Sequence, residues 1–146
     1  MALVAVAAGC GSSAAPGVPD VAKLPLVDGA AVVARAQQCD KGAGAYCAVQ
    51  LVVVDHRFRS SLDLMKSERV MLQGLGWSIT DGDTGNEHAA DSPGHRLRVT
   101  YATADGDLRG IVLGWIVRAR PITLALSRAM FARSPAISMM LEHGSG

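Results

Sequence analysis

The sequence predicts an α+β fold in which four antiparallel strands form one sheet and the helices cover one of its faces. Two patterns lead to this prediction. Apolar residues alternate with polar ones, or run without interruption, over four short stretches: 47–55, 77–80, 96–104 and 136–141. Apolar residues recur every three or four positions at 61–75 and 107–132, which is the spacing of amphipathic helices. The resulting β-α-β, β-α-β order is that of the ferredoxin-like, split β-α-β arrangement.

The composition is that of one folded domain. The chain has 146 residues, of which 49% are hydrophobic and 18% are charged, and the net charge is +1. High apolar content with almost no net charge excludes intrinsic disorder, and the balanced charge gives no reason to expect nucleic acid as a partner. Basic residues nevertheless outnumber acidic ones between 96 and 133. We expect a single domain over 30–142 and a tail at 143–146.

The first half of the domain contains the clearest strand. Residues 30–38 (AAVVARAQQ) predict a short helix, because alanine, arginine and glutamine favour that structure. Residues 47–55 are apolar on both faces, which is typical of a central strand. Ser60 or Ser61 is expected to cap the following helix, and Gly76 to end it.

The second half alternates between polar and apolar segments. Residues 81–95 are polar, contain glycine and proline, and predict a loop. Residues 96–104 predict a strand with one solvent-facing side. Pro121 is expected to interrupt or restart the helix at 107–132. Residues 136–141 fit both a strand and a helix, and the strand is preferred because a proline precedes them.

The N-terminal residues resemble the end of a bacterial lipoprotein signal. Residues 1–9 are apolar or small, Cys10 follows Ala-Ala-Gly, and residues 10–29 are rich in glycine and proline. A signal peptide normally begins with lysine or arginine, and none precedes Cys10. We therefore expect a truncated signal at 1–9, a lipid on Cys10, a flexible tether at 10–29, and an extracytoplasmic protein anchored to the cell membrane.

The cysteines are consistent with this location. If Cys10 carries a lipid, Cys39 and Cys47 remain as a pair that flanks a short loop with two glycines. In an oxidising envelope they are expected to form a disulfide. The alternative is two free thiols in a cytosolic protein.

A small set of polar residues is a candidate site. Asp55 and His56 follow the central strand, and strand ends that lead into helices often carry functional groups. His88, Asp91 and His95 lie in the predicted loop. Neither group has the spacing of a catalytic triad or a metal centre, so no catalytic or metal-ligating role and no cofactor is predicted.

The chain also resembles small secreted lipoproteins of actinobacteria that have no assigned activity. The features in common are the AAGCGSS start, the cysteine pair before a valine-rich strand, and a helix that ends Leu-Gly-Trp before a strand. The resemblance implies an envelope location and a small α+β domain, and it implies no catalytic residue.

Two classes of function stay open. The first, which the sequence favours, is a non-enzymatic lipoprotein domain held at the lipid bilayer by Cys10. Such a domain would bind an envelope protein or an anionic envelope component through its sheet face or its arginine-rich helices. The second is a small extracellular hydrolase or metal-dependent enzyme that uses the loops at 55–61 and 81–95, and it requires those loops to converge on one cleft.

Overall fold

The structure, a computed structural model, describes residues 17–39, 47–80, 87–103, 118–131 and 134–146. Within these residues the strands are β1 (Ala31–Cys39), β2 (Cys47–Val54), β3 (Ser78–Thr80), β4 (Glu87–Asp91), β5 (Leu97–Thr103) and β6 (Ala136–His143). The helices are α1 (Ser61–Gly74) and α2 (Arg120–Phe131), and two short 3-10 helices lie at Val21–Lys23 and Pro93–His95.

The described strands form one six-stranded sheet in the order β1-β2-β6-β5-β4-β3. Each neighbouring pair is antiparallel. The α+β class is therefore confirmed, but the four-stranded, ferredoxin-like sheet is wrong. Two of the described strands were not predicted. In the ferredoxin-like arrangement β3 would pair with β5, whereas in the structure β3 pairs with β4 and β4 pairs with β5.

The first of the two unpredicted strands is β1, which replaces the helix expected at 30–38. Helix-forming residues dominate this segment, but Val32 and Val33 are β-branched and favour a strand. The segment runs antiparallel to β2, and its last residue, Cys39, lies opposite Cys47. Cross-strand pairing thus outweighs the local helix propensity.

The second unpredicted strand is β4, which lies in the segment expected to be a polar loop. Its sequence, EHAAD, contains no β-branched or aromatic residue, so strand propensity is low. Strand β4 is held from both sides, by β3 and by β5. Its position between two partners, rather than its composition, accounts for its structure.

The two helices lie on opposite faces of the sheet, which corrects the expectation that they share one face. On β2, Val49 and Leu51 belong to the apolar cluster under α1. Val52 and Val54, which alternate with them, belong to a second cluster under α2. Since side chains alternate along a strand, β2 is covered on both sides and all eight of its residues are buried.

Several local predictions are confirmed. The Ser60 hydroxyl accepts a hydrogen bond from the Asp63 backbone amide at 3.1 Å, so Ser60 caps α1. Gly76 follows the helix with φ +84°, a conformation that glycine adopts without strain. Strand β6 is a strand and pairs with β2, as expected for the last strand.

Residues 17–29, which are the described part of the tether expected at 10–29, pack against the domain. Leu24 is buried in the α1 cluster. The Val27 amide donates to Glu68 of α1 at 2.9 Å. Gly29 has φ +85°, and a β-carbon at that position would meet the Arg57 guanidinium at 2.5 Å.

Some predictions concern residues outside the described ranges. They are the signal at 1–9, the lipid site Cys10, the tether as far as residue 16, the loop at 81–86, residue 104 of the predicted strand, and the predicted helix at 107–117 and 132.

Candidate functional site

Asp55, a predicted site residue, is engaged in a local ion pair. Its two carboxylate oxygens accept hydrogen bonds from Arg57 Nε at 3.1 Å and Nη2 at 2.8 Å, and Oδ1 also accepts from the Arg57 amide at 3.0 Å. Arg57 thereby lowers the pKa of this carboxyl, against the opposing effect of burial. Asp55 therefore holds the turn after β2, and its neighbour His56 is exposed.

Asp91 and His95 come together at the far end of the sheet. Asp91 binds Arg98 of β5 through two hydrogen bonds of 2.8 and 3.0 Å, and Asp91 Oδ2 lies 3.5 Å from His95 Nδ1. Hydrogen bonding to Arg98 lowers the pKa of Asp91. The group forms an ion-pair network across β4 and β5.

The remaining predicted site residue, His88, lies on the other face of β4. It is buried opposite Tyr101 of the α1 cluster, with 5.6 Å between the ring centroids. Asp91 is three positions further along the strand and therefore points to the opposite face.

The predicted polar residues thus do not share one cleft within the described structure. Asp55 adjoins the start of β6, whereas Asp91 adjoins its end through Arg98 and Glu142. That length of strand is about 20 Å. Within the described ranges, no cluster of three or more histidine, cysteine, aspartate or glutamate side chains is arranged to hold a metal ion.

A pocket of about 260 Å³ lies between β1 and α2, and we call it the β1–α2 pocket. Apolar side chains form most of its wall, and basic and hydroxyl groups stand among them. Its lining residues are Val33, Val54, His56, Ala125, Arg128, Ala129 and Ser134.

Small side chains bring α2 close to the sheet and shape this pocket. Ala34 and Ala36 of β1 pack against the apolar cluster that contains Leu126 of α2. The start of the helix is fixed by Gln50 of β2, whose buried side chain accepts a hydrogen bond from the Ala119 amide at 3.0 Å. The pocket is therefore built on paired strands and an anchored helix, which is the rigid support that a binding site needs.

The walls of the β1–α2 pocket carry positive charge. Arg128 of α2 lines the pocket and α2 also carries Arg120, while neither α2 nor β1 contains an aspartate or glutamate. Exposed apolar residues accompany this charge, since Val33 is 54% exposed and Leu124 is 46% exposed. Basic groups beside exposed apolar surface suit a ligand that is both anionic and partly apolar.

A larger groove, of about 750 Å³, lies beside Trp77 at the Asp91 end of the sheet. Two of its polar residues, Asp20 and Ser92, are engaged in hydrogen bonds to nearby backbone amides. Asp20 accepts a hydrogen bond from the Ala22 amide at 3.0 Å, and the Ser92 hydroxyl accepts one from the Leu97 amide at 2.9 Å. Trp77 is only 6% exposed. The groove follows the junction between packed segments. The wall of the β1–α2 pocket is mostly apolar, so that pocket is the better candidate binding site.

Sequence reasoning found one pocket residue, His56, and missed the others. The excess of basic residues between 96 and 133 indicates that the segment containing α2 is basic, but it does not single out Arg128. The apolar wall of the pocket could not be predicted from the sequence, because residues 30–38, which include Val33, predict a helix. The position of Val33 beside α2 follows only from the pairing of β1 with β2.

A disulfide joins Cys39 to Cys47, as predicted, with the Cα atoms 4.0 Å apart. Disulfides form and persist in oxidising compartments, so this bond indicates a location outside the cytoplasm. Within the described part of the chain, no helix has both the length and the hydropathy needed to cross a bilayer. Comparisons with protein-family models, curated proteins and solved structures find no match to this chain.

Proposed function

We propose that this chain is an extracytoplasmic lipoprotein domain that acts as a non-enzymatic binding module of the cell envelope. The observation that carries the binding role is the β1–α2 pocket, which combines an apolar wall with a basic rim. The expected ligand is an anionic component of the envelope or an envelope protein with an acidic surface.

The charge distribution supports this choice of ligand. The basic side chains of α2 are not balanced by an acidic one on that helix, and β1, which forms the other side of the pocket, contains no acidic residue. A surface of one sign attracts ligands of the opposite sign and raises their association rate. Because most of the pocket wall is apolar, part of the ligand must be apolar as well.

The compartment is supported by two features. The disulfide is consistent with an oxidising environment. The apolar residues before Cys10 and the small residues around it have the pattern of a lipid-attachment signal. From Cys10 to Gly17, where the packed segment begins, the chain reaches at most about 25 Å. A lipid on Cys10 would therefore keep the domain close to the membrane surface.

The anchoring is tested by cell fractionation of the wild-type chain and of Cys10→Ala. We expect the wild-type chain in the membrane fraction and the variant in the soluble or secreted fraction. If both are found in the cytosol, the envelope assignment is wrong.

The binding face is tested by photo-crosslinking in the native host. A photoreactive phenylalanine analogue replaces Leu124, which is exposed on α2, and in a control it replaces Val70, which is exposed on α1. We expect one discrete crosslinked envelope component from position 124 and none from position 70. Equal crosslinking from both positions, or none from position 124, contradicts the proposed function.

A further inference from the structure

Strand β1 forms one edge of the described sheet, with β2 on one side and no strand among the described residues on the other. It is nine residues long, whereas the opposite edge, β3, has only three. Natural proteins usually shorten, cover or charge their edge strands, because an open edge accepts another strand. Strand β1 has one irregularity, between Val32 and Ala34, and is regular from Ala34 to Cys39.

The register identifies the backbone groups that this edge offers. The Cα atoms of Cys39 and Cys47 are 4.0 Å apart, which is the short spacing of an antiparallel pair that exchanges no backbone hydrogen bonds. Pair types alternate along the strand, so Gln37 and Arg35 are of the same type as Cys39. Their N–H and C=O groups therefore point away from β2, toward the open edge.

Basic side chains flank this edge on both faces of the sheet. Arg35 lies opposite Leu51, which belongs to the α1 cluster, so its side chain is on the α1 face. Arg128 and His56 line the β1–α2 pocket on the other face. A strand added to β1 would direct its side chains alternately to the two faces, and acidic residues would meet a positive charge on either one.

We infer that β1 binds an extended acidic peptide segment of an envelope protein by strand addition, with one of its side chains in the β1–α2 pocket. This inference rests on the proposed function and names the partner of the same site. Backbone hydrogen bonds to Arg35 and Gln37 supply affinity, and the pocket and its basic rim supply specificity, as in other cases of strand addition. A second copy of this chain is less suitable, because β1 and α2 would bring the same basic residues and no acidic ones.

The test measures binding of short peptides to the full chain, with its disulfide intact, by fluorescence anisotropy. The probe is a labelled eight-residue peptide in which glutamate alternates with valine. One control replaces each glutamate by lysine. The other keeps the glutamates but carries an N-methyl group on every backbone amide, which removes the hydrogen-bond donors along both edges of the peptide. We expect saturable binding of the first peptide and at least tenfold weaker binding of both controls.

Substitution of Gln37 tests the backbone contact from the side of the protein. Gln37→Pro removes an N–H that points away from β2, so no hydrogen bond within the sheet is lost, and proline is tolerated at such edge positions. Gln37→Ala is the matched control, because it removes the side chain and keeps the N–H. We expect Gln37→Pro to weaken binding more than tenfold with the circular dichroism spectrum unchanged, and Gln37→Ala to bind like the wild type.

The outcomes separate this inference from the proposed function. If the N-methylated peptide binds as well as the parent, strand addition is refuted, although an acid-binding site is retained. If sedimentation shows that the chain dimerises and does not bind the peptide, the occupant is a second copy. If phosphatidylglycerol vesicles bind and the peptide does not, the occupant is a lipid headgroup. The last two results also refute the inference, whereas the proposed function is decided by the cell fractionation and by the crosslinking at position 124.

Discussion

Glu68 is expected to make the stability of this protein depend on pH in the direction opposite to that of most carboxylates. It lies on the buried stripe of α1 between Leu64 and Leu72 and is fully buried. Its Oε2 accepts a hydrogen bond from the Val27 amide at 2.9 Å, and its Oε1 is buried without a hydrogen-bond partner in the described structure. Burial raises the pKa of Glu68 from 4.5 to about 7, and the Val27 amide partly offsets this effect.

The sign follows from proton binding in the two states. Between pH 4.5 and pH 7 the unfolded chain releases the Glu68 proton while the folded protein retains it. The folded state thus binds more protons, and the free energy of unfolding falls as the pH rises through this range. At about 1.4 kcal/mol for each pKa unit, the loss due to Glu68 approaches about 3 kcal/mol above pH 7.

Glu68→Gln removes the ionisation and nearly preserves the size of the side chain. We expect the wild-type chain to lose about 3 kcal/mol more stability than this variant between pH 4.5 and pH 7.5. Urea unfolding at each pH, followed by circular dichroism, measures the difference. Asp63→Asn, an equivalent change at an exposed carboxylate of the same helix, is the control for the substitution itself. Parallel curves for wild type and Glu68→Gln would refute the reasoning.

Three further predictions concern the core, the ion pair and the disulfide. Leu51→Ala should lower the free energy of unfolding by about 2–5 kcal/mol, because Leu51 is fully buried between paired strands; a loss below 1 kcal/mol in urea titrations would contradict this. Arg98→Ala should cost about 1–2 kcal/mol at pH 7, since it removes both hydrogen bonds that Arg98 donates to the buried Asp91 carboxylate, and the cost should shrink at a pH low enough to protonate Asp91. Thiol labelling of the non-reduced protein should leave Cys39 and Cys47 unmodified, and reduction should cost about 2–3 kcal/mol for so short a loop; quantitative labelling without a reductant would exclude the bond.

The elements that could be predicted are determined by residues that lie close together in the sequence. Apart from Gln50, strand β2 is apolar on both faces, and a helix on each side of the sheet explains this pattern. Helix α1 has its capping serine, its apolar stripe and its terminal glycine within one continuous segment. Such signals act through contacts between near neighbours, and no knowledge of the remaining chain is needed to interpret them.

The parts that could not be predicted depend on distant residues. The residues of β1 become a strand because β2 pairs with them, and those of β4 because β3 and β5 lie on either side. The candidate site shows the same dependence, because Val33, Val54 and Arg128 meet only after sheet and helix are assembled. Asp55 and Asp91 are candidate site residues by residue type alone. In the structure each is paired with an arginine that lies later in the sequence, Asp55 with Arg57 and Asp91 with Arg98.

The place of β6 in the sheet has a consequence for the order of folding. This strand is the last of the described elements along the chain, yet it lies between β2 and β5 and joins the β1–β2 hairpin to the β5-β4-β3 half. Until residues 136–143 are made, the two halves have no common neighbour, and the backbone edges of β2 and β5 with which β6 pairs stay open. Contacts between residues so far apart form slowly. The two halves of the sheet can therefore join only after β6 is made, and we expect the complete sheet to form late in folding.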